Sequence, residues 1–285
     1  MAPFVSPAEA TLIEVLGAGS QCVVARVEVA GRAHICKRLR PRFLRDARAR
    51  RSLARERAVL GRVAHPAVPR LIGAGEDGHG PYVIQSEVQG LCLRDLVEGY
   101  RASRGPSGVP ASLVERLARV AFTTLAALHE LHDEGGALGL VHGDLGPDHL
   151  LVGPARPGQA TRVGFVDFGQ GRLREVPGEA GERGTLPFVA PEVARGEQSP
   201  DQAADVFALA ATIAFAALGR EPCVSEGASA RLVEAAERGP DLSGLGASAG
   251  VSSRFVRCLR RALAFERAAR LTSARAVLAA LDGVD

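Results

Sequence analysis

The chain has 285 residues, 46% of them hydrophobic and 24% charged, with a formal net charge of +3. That length can bury one large core or two modest ones, and the composition is that of a globular chain rather than a disordered one. The small net charge does not by itself point to nucleic acid, and no apolar run approaches the roughly 18–20 residues that a membrane-spanning helix needs.

The opening residues, MAPFVSPAEA, lack a basic stretch followed by a hydrophobic one, so no secretory leader is expected. The five cysteines (Cys22, Cys36, Cys92, Cys223, Cys258) are scattered, with no CxxC pair. That argues against a disulfide framework or zinc site and fits a reducing cytoplasm. Of the 35 basic residues only Lys37 is lysine. A GC-rich genome accounts for the arginines. A compact ammonium and a planar guanidinium differ physically, so a surviving lysine marks a place that needs a small cation deep in a pocket.

Residues 11–39 read as a strand meander. Leu12-Ile13 and Val15-Leu16 precede a loop, Gly17 to Gln21, and Cys22 to Val29 follows, alternating with period two in its later part. Ala30-Gly31-Arg32 is a turn before a third strand, Ala33 to Leu39. Asp46 to Val63 has helical spacing, with Leu53, Leu60 and Val63 on one face and Glu56 among them. A carboxylate on an apolar face is costly unless paired; Glu56 is either an edge residue that reaches solvent or a paired one, with Lys37 on the preceding strand as the natural partner. The ten arginines between Arg38 and Arg62 are expected to form a solvated face, with docking of an acidic partner as the sharper alternative. His65-Pro66 is expected to end the helix. Strand-like runs follow around Arg70–Ile72 and Tyr82–Val88.

After Gly90 helical spacing dominates: Leu91–Tyr100, Ser112–His132, Ala203–Leu218, Ala230–Arg238, Arg254–Phe265 and Ser273–Leu281. Arg101–Pro110 is expected to be a mobile connection. The layout is α+β: residues 1–89 as a small lobe with an antiparallel sheet and one helix, residues 90–285 as a larger, mainly helical lobe.

In this order the pieces resemble a bacterial eukaryotic-type Ser/Thr protein kinase, over nearly the whole chain. Gly17-Ala18-Gly19 through Val24 looks like the glycine-rich loop, and His34-Ile35-Cys36-Lys37 the ATP-binding lysine strand. Glu56 with His65-Pro66 matches the helix glutamate and the turn after it. Gln85-Ser86-Glu87-Val88 matches the hinge. His142-Gly143-Asp144 matches the catalytic loop, Val166-Asp167-Phe168-Gly169 the magnesium loop, and Gly184-Thr185 through Ala190-Pro191-Glu192 the end of the activation segment. Asp205 and Arg270 match buried polar anchors, with Glu192 and Arg270 as an ion pair.

The resemblance implies ATP and Mg²⁺, with Mn²⁺ as a second serviceable metal, and transfer of the γ-phosphoryl group to Ser or Thr of a protein. By the same resemblance Lys37 holds the α- and β-phosphates, oriented by Glu56, and backbone amides at Gly17, Ala18 and Gly19 cover them. Asp167 binds metal. Asp144 handles the proton of the attacking hydroxyl. Backbone groups of Ser86 and Val88 read adenine, with Val24, Ile35 and Leu151 as apolar walls. Thr185 favours Ser/Thr over Tyr. A protein substrate or regulatory protein partner is implied, with no nucleic acid and no membrane, and a cytoplasmic location.

Several positions depart from the family pattern. Cys22 replaces the third loop glycine, and Ile35 stands in place of alanine. Gly146 replaces a lysine that contacts the γ-phosphate, a loss of about 10²–10³ in rate for one preorganised donor; Arg172 is a candidate substitute charge. His149 replaces an asparagine that binds the second metal. Imidazole nitrogen suits Mg²⁺ less well than oxygen, so weakened two-metal binding is expected. Gly143 replaces the arginine that reads a phosphorylated activation loop. Between Gly169 and Ala190 the only hydroxyl side chain is Thr185, so control by activation-loop phosphorylation is not expected. The alternatives are a pseudokinase, which binds nucleotide as a scaffold or allosteric module with little or no transfer, and a small-molecule phosphotransferase. GTLPFVAPE and the Asp205 helix argue against the last.

Overall fold

A computed structural model of the protein describes residues 6–105, 109–153, 161–176, 184–246 and 250–284. They group into two compact units: Met1–Val88 with Asp167–Gly169, and Gln89–Val166 with Gln170–Asp285.

The first unit holds β1 (Thr11–Ala18), β2 (Cys22–Val29), β3 (Arg32–Leu39), α1 (Ala47–Leu60), β4 (Leu71–Asp77) and β5 (Gly80–Ser86). The strands form one antiparallel sheet in the order β1-β2-β3-β5-β4. Lys37 stands opposite both Val24 and Val83, and Ile35 opposite both Arg26 and Gln85. Residues directly opposite share a face of the pleat, so these six side chains lie on one side of the sheet. Leu39 and Val83 on that side pack with Ala49 and Leu53 of α1. Ala25, Val27, Cys36 and Ile84 make the core of the other side.

Helix α1 starts where Asp46 accepts a hydrogen bond from the Ala49 N–H at 2.9 Å. It stops at Leu60, capped by Gly61, well before Pro66. The expected end at His65-Pro66 is therefore too late: the helix closes at Gly61, in the right-handed region, before the proline is reached. The arginine face is only partly solvated, because Arg38 is buried in a two-pronged pair with Asp77, at 2.6 and 2.8 Å, and Arg55 is buried too.

The second unit holds β6 (Leu91–Cys92), α2 (Leu93–Arg104), α3 (Ala111–His129), β7 (His132–Asp133), β8 (Gly136–Ala137), β9 (Leu150–Val152), β10 (Val163–Phe165), α4 (Pro191–Ala194), α5 (Gln202–Leu218), α6 (Ala228–Glu237), α7 (Ser253–Ala262) and α8 (Ala274–Asp282). The helix expected from Leu91 begins at Leu93, because Leu91 and Cys92 pair with Val152 and Leu151 of β9. It continues to Arg104, so the start of the expected mobile connection is helical; residues 106–108 of it lie outside the described residues.

Every residue of helix α5 from Ala203 to Ala217 is buried, and all but Asp205 and Thr212 are apolar. Such a helix must be a core element. Asp201 caps its start through the Ala204 N–H at 2.9 Å, and Gly219 ends it in the left-handed conformation. Among the described residues no helix is long and apolar enough to cross a membrane.

Glu192, opening α4, takes both prongs of the Arg270 guanidinium, at 2.7 and 3.1 Å. Arg270 also donates to the carbonyls of Ala264 and Phe265 and lies 4.8 Å from the Phe207 ring centroid. Burial works against the Glu192 carboxylate, but its arginine partners outweigh that and hold its pKa below the ordinary value. Arg270→Met should lower stability by about 3–5 kcal/mol, the cost of leaving one buried charge without its partner, measured as a shift in the denaturant midpoint.

Candidate active site

Two clusters of functional side chains form, one in each unit. In the first, the Lys37 ammonium donates to Glu56 Oε1 at 2.6 Å and lies 3.2 Å from Asp167 Oδ1. Lys37 and Glu56 are buried, while the Asp167 side chain is 45% exposed. Burial disfavours the ammonium, but Asp167 and Glu56 overcome it, so the Lys37 pKa is raised and the cation is permanent. Asp167 holds a left-handed backbone conformation, φ +68°, unusual for a side chain other than glycine and common where geometry serves function.

The rest of the predicted nucleotide set follows from the strand register. Gly17 pairs with Val24 and Ala18 with Val23; the Ala18 side chain lies outside the described residues. A Cβ placed on Gly17 would meet nothing within 4 Å, and one on Gly19 only the Cys22 carbonyl at 3.6 Å. Neither a steric neighbour nor a left-handed φ requires glycine at either position. Cys22 begins β2, and burial pushes its thiol up to about 12, so it is protonated at neutral pH. The Ser86 N–H already donates to the Arg70 carbonyl at 2.9 Å, so a base would meet Ser86 through its carbonyl. Val88 follows it, half-buried.

In the second unit the loop carrying Asp144 is fixed by backbone bonds. Asp205 accepts the N–H of His142 at 2.7 Å and of Gly143 at 2.9 Å. His142 Nδ1 accepts the Asp144 N–H at 3.3 Å, so Nε2 must carry the ring hydrogen, which it donates to the Val166 carbonyl at 3.0 Å. Both ring nitrogens are thus satisfied in the neutral form. Burial first, and the neighbouring His149 second among the lowering influences, depress the His142 pKa. The Thr185 hydroxyl donates to Asp144 Oδ1 at 2.6 Å.

His149 lies 2.7 Å through Nδ1 from the Asp144 carbonyl. A carbonyl only accepts, so Nδ1 is the protonated nitrogen and Nε2 alone could face a metal. Leu151 is the middle residue of β9, opposite Gly164. Arg172 is tied by its backbone to Val141, at 2.8 and 3.0 Å. Of the activation segment, residues 177–183 lie outside the described residues.

The two glycines that depart from the family pattern differ physically. Gly143 has φ +76°, and a Cβ there would stand 2.6 Å from the Gln170 carbonyl oxygen. Gly146 has no such φ, and its Cβ would meet only Phe188, at 3.7 Å. In the sequence Gly143 reads as a lost regulatory arginine; the conformation adds a steric cost that no local pattern signals.

The protein kinase domain family model matches residues 10–280. The chain belongs to the protein kinase family. This kinase domain is 32% identical over 220 residues to the "Probable serine/threonine-protein kinase PkwA" of Thermomonospora curvata, covering 75% of this chain and 27% of that protein. It is 28% identical over 220 residues to serine/threonine-protein kinase PknB of Mycobacterium tuberculosis, covering 73% and 32%. It therefore spans about a quarter to a third of the length of these relatives. A double mutant of the Mycobacterium tuberculosis PknI kinase domain superposes with a TM-score of 0.72 at 25% identity, covering 100% of this chain and 99% of that one. The kinase fold, with an antiparallel sheet and a set of helices, is thereby established.

Gly143→Ala should cost at least about 1–3 kcal/mol for the left-handed conformation alone, whereas Gly146→Ala should stay within about 0.5 kcal/mol of the parent; thermal denaturation compares them. His142 stays neutral when folded and titrates near 6.5 when unfolded. Its contribution is complete above that value, and the unfolded chain takes up more protons below it, so stability falls as pH drops from about 6.5. Chemical denaturation between pH 7.5 and 5.5 should show this decline, flattened in His142→Asn.

Proposed function

We propose that the chain is an ATP-dependent Ser/Thr protein kinase whose phosphotransfer is slowed by its catalytic loop. The observation that carries this reading is the buried Lys37–Glu56 pair at 2.6 Å with Asp167 beside it. A permanent, fixed cation next to a partly exposed carboxylate suits a polyphosphate and its metal. Lys37 would hold the α- and β-phosphates, and Glu56 would keep it extended. Amides of Gly17 to Gln21 would cover the phosphates. The Ser86 carbonyl and Val88 backbone would read adenine against Val24 and Ile35. We assign residues 1–89 to nucleotide binding and 90–285 to the catalytic loop and the protein substrate. The five free thiols support a cytoplasmic setting.

Among the described residues no group of three or more His, Cys, Asp or Glu could hold a metal ion. The protein would thus supply only part of a coordination shell, with nucleotide oxygens completing it. The Asp167 carboxylate fits a hard cation. His149, with Nε2 alone, fits Mg²⁺ poorly. Bound Mg²⁺ would neutralise charge on the phosphate oxygens. Asp144, oriented by the Thr185 hydroxyl, would accept the proton of the substrate hydroxyl.

Gly143 and the hydroxyl-poor activation segment support a kinase not switched by phosphorylation there. Gly146 and His149 favour the second reading, a pseudokinase that binds nucleotide with little transfer.

Incubation with labelled ATP, Mg²⁺ or Mn²⁺ and a generic protein substrate separates the two. On the kinase reading, transfer is abolished in Asp144→Ala, and Gly146→Lys raises the rate by up to about 10²–10³. Nucleotide-dependent thermal stabilisation without Asp144-dependent transfer establishes the pseudokinase instead.

A further inference from the structure

Arg94, the second residue of α2, belongs to none of the motifs above. Its guanidinium grips both oxygens of Asp148: Nε donates to Oδ1 at 2.8 Å and Nη2 to Oδ2 at 2.9 Å. Nη1 reaches Glu221 Oε1 at 3.3 Å. Its own backbone N–H donates to the Pro147 carbonyl at 3.2 Å, and its guanidinium carbon lies 5.4 Å from the Phe215 ring centroid. Glu221 in turn pairs with Arg231 of α6 at 2.6 Å.

An isolated surface ion pair contributes little. This one is different in three respects. It is two-pronged, which fixes direction as well as distance. It is part of an alternating chain of four charges, Asp148, Arg94, Glu221 and Arg231. It is doubled by a backbone bond to the neighbouring residue of the same loop.

Asp148 stands between Pro147 and His149, and His149 Nδ1 donates to the Asp144 carbonyl. The loop is short of side-chain anchors because Gly143 and Gly146 have none to offer. Asp205 fixes its start. At its end, His149 bonds through its backbone to Gly146 and Val166, at 3.1 Å each, and Arg94 adds the side-chain anchor.

We propose that Arg94 is a positioning residue for phosphotransfer. By clamping Asp148 and Pro147 it fixes His149, and through His149 the backbone that carries Asp144. The inference rests on the phosphotransfer reading above. Lysine could not replace it, since an ammonium cannot meet both carboxylate oxygens and Glu221 in one plane.

The test measures kcat, ATP KM and ADP affinity in the full chain for Arg94→Leu, Asp148→Asn, their combination and Arg94→Lys. A displaced reacting group is expected to lower kcat about 10- to 100-fold in Arg94→Leu, with ATP KM and ADP Kd within about twofold of the parent. Asp148→Asn should lose a similar factor, and the double variant no more than the worse single one, because both remove the same clamp. Arg94→Lys should fall between, and it keeps the test decisive if the leucine variant does not fold. An unchanged kcat with a lowered denaturation midpoint overturns the proposal, as does full additivity of the two single losses. A parent protein that transfers no phosphate overturns the phosphotransfer reading, and this inference with it; that outcome is visible in the parent arm alone.

Discussion

Asp205 is 1% exposed and sits in the first turn of a helix whose buried length carries only one other polar side chain, Thr212. A carboxylate in that setting is tolerable only if its oxygens are occupied by donors. They are: the amides of His142 and Gly143 come in at 2.7 and 2.9 Å, and His129 Nε2 lies 3.2 Å away. The demand works in both directions. The helix needs the loop to satisfy its carboxylate, and the loop takes its conformation from the helix. Gly143 turns into the left-handed region to present its amide, and His142 is left neutral with both nitrogens used. Asp144 follows directly, so its placement depends on a charge buried some distance along the chain.

The first unit solves the opposite problem. There a cation, Lys37, is buried, and two carboxylates answer it. The two carboxylates let the ammonium stay charged in a buried place. The arrangement also shows why lysine was kept in a chain of arginines. Its single ammonium can sit between Glu56 and Asp167, where a planar fork of five donors would leave several unmet in a buried place.

The two loop glycines show where inference from residue type stops. Both look like losses of a cation. Gly146 is one in the simple sense, since its backbone could carry a side chain. At Gly143 the loss comes with a steric term, because its φ and the Gln170 carbonyl 2.6 Å from any Cβ both penalise a side chain there. Helix ends give a milder case. Pro66 is expected to stop α1, but the helix ends at Leu60 with Gly61 as its cap. Gly61 has φ −75°, open to any residue, so its being glycine is not the cause, and a proline downstream only forbids continuation.

The sequence by itself determined the class of fold, named Lys37 as the natural partner of Glu56 and, through its resemblance to the kinase family, paired Glu192 with Arg270. These follow from periodicity, from the cost of burying a lone charge, and from an ordered set of motifs. The tertiary structure decided which ring nitrogen of His142 and of His149 carries the hydrogen, that a side chain at position 143 is strained, and that Arg94 grips a residue 54 positions away. Such facts belong to backbone torsions and to partners distant along the chain. They have no period and no local spacing, because they arise only when separate segments meet.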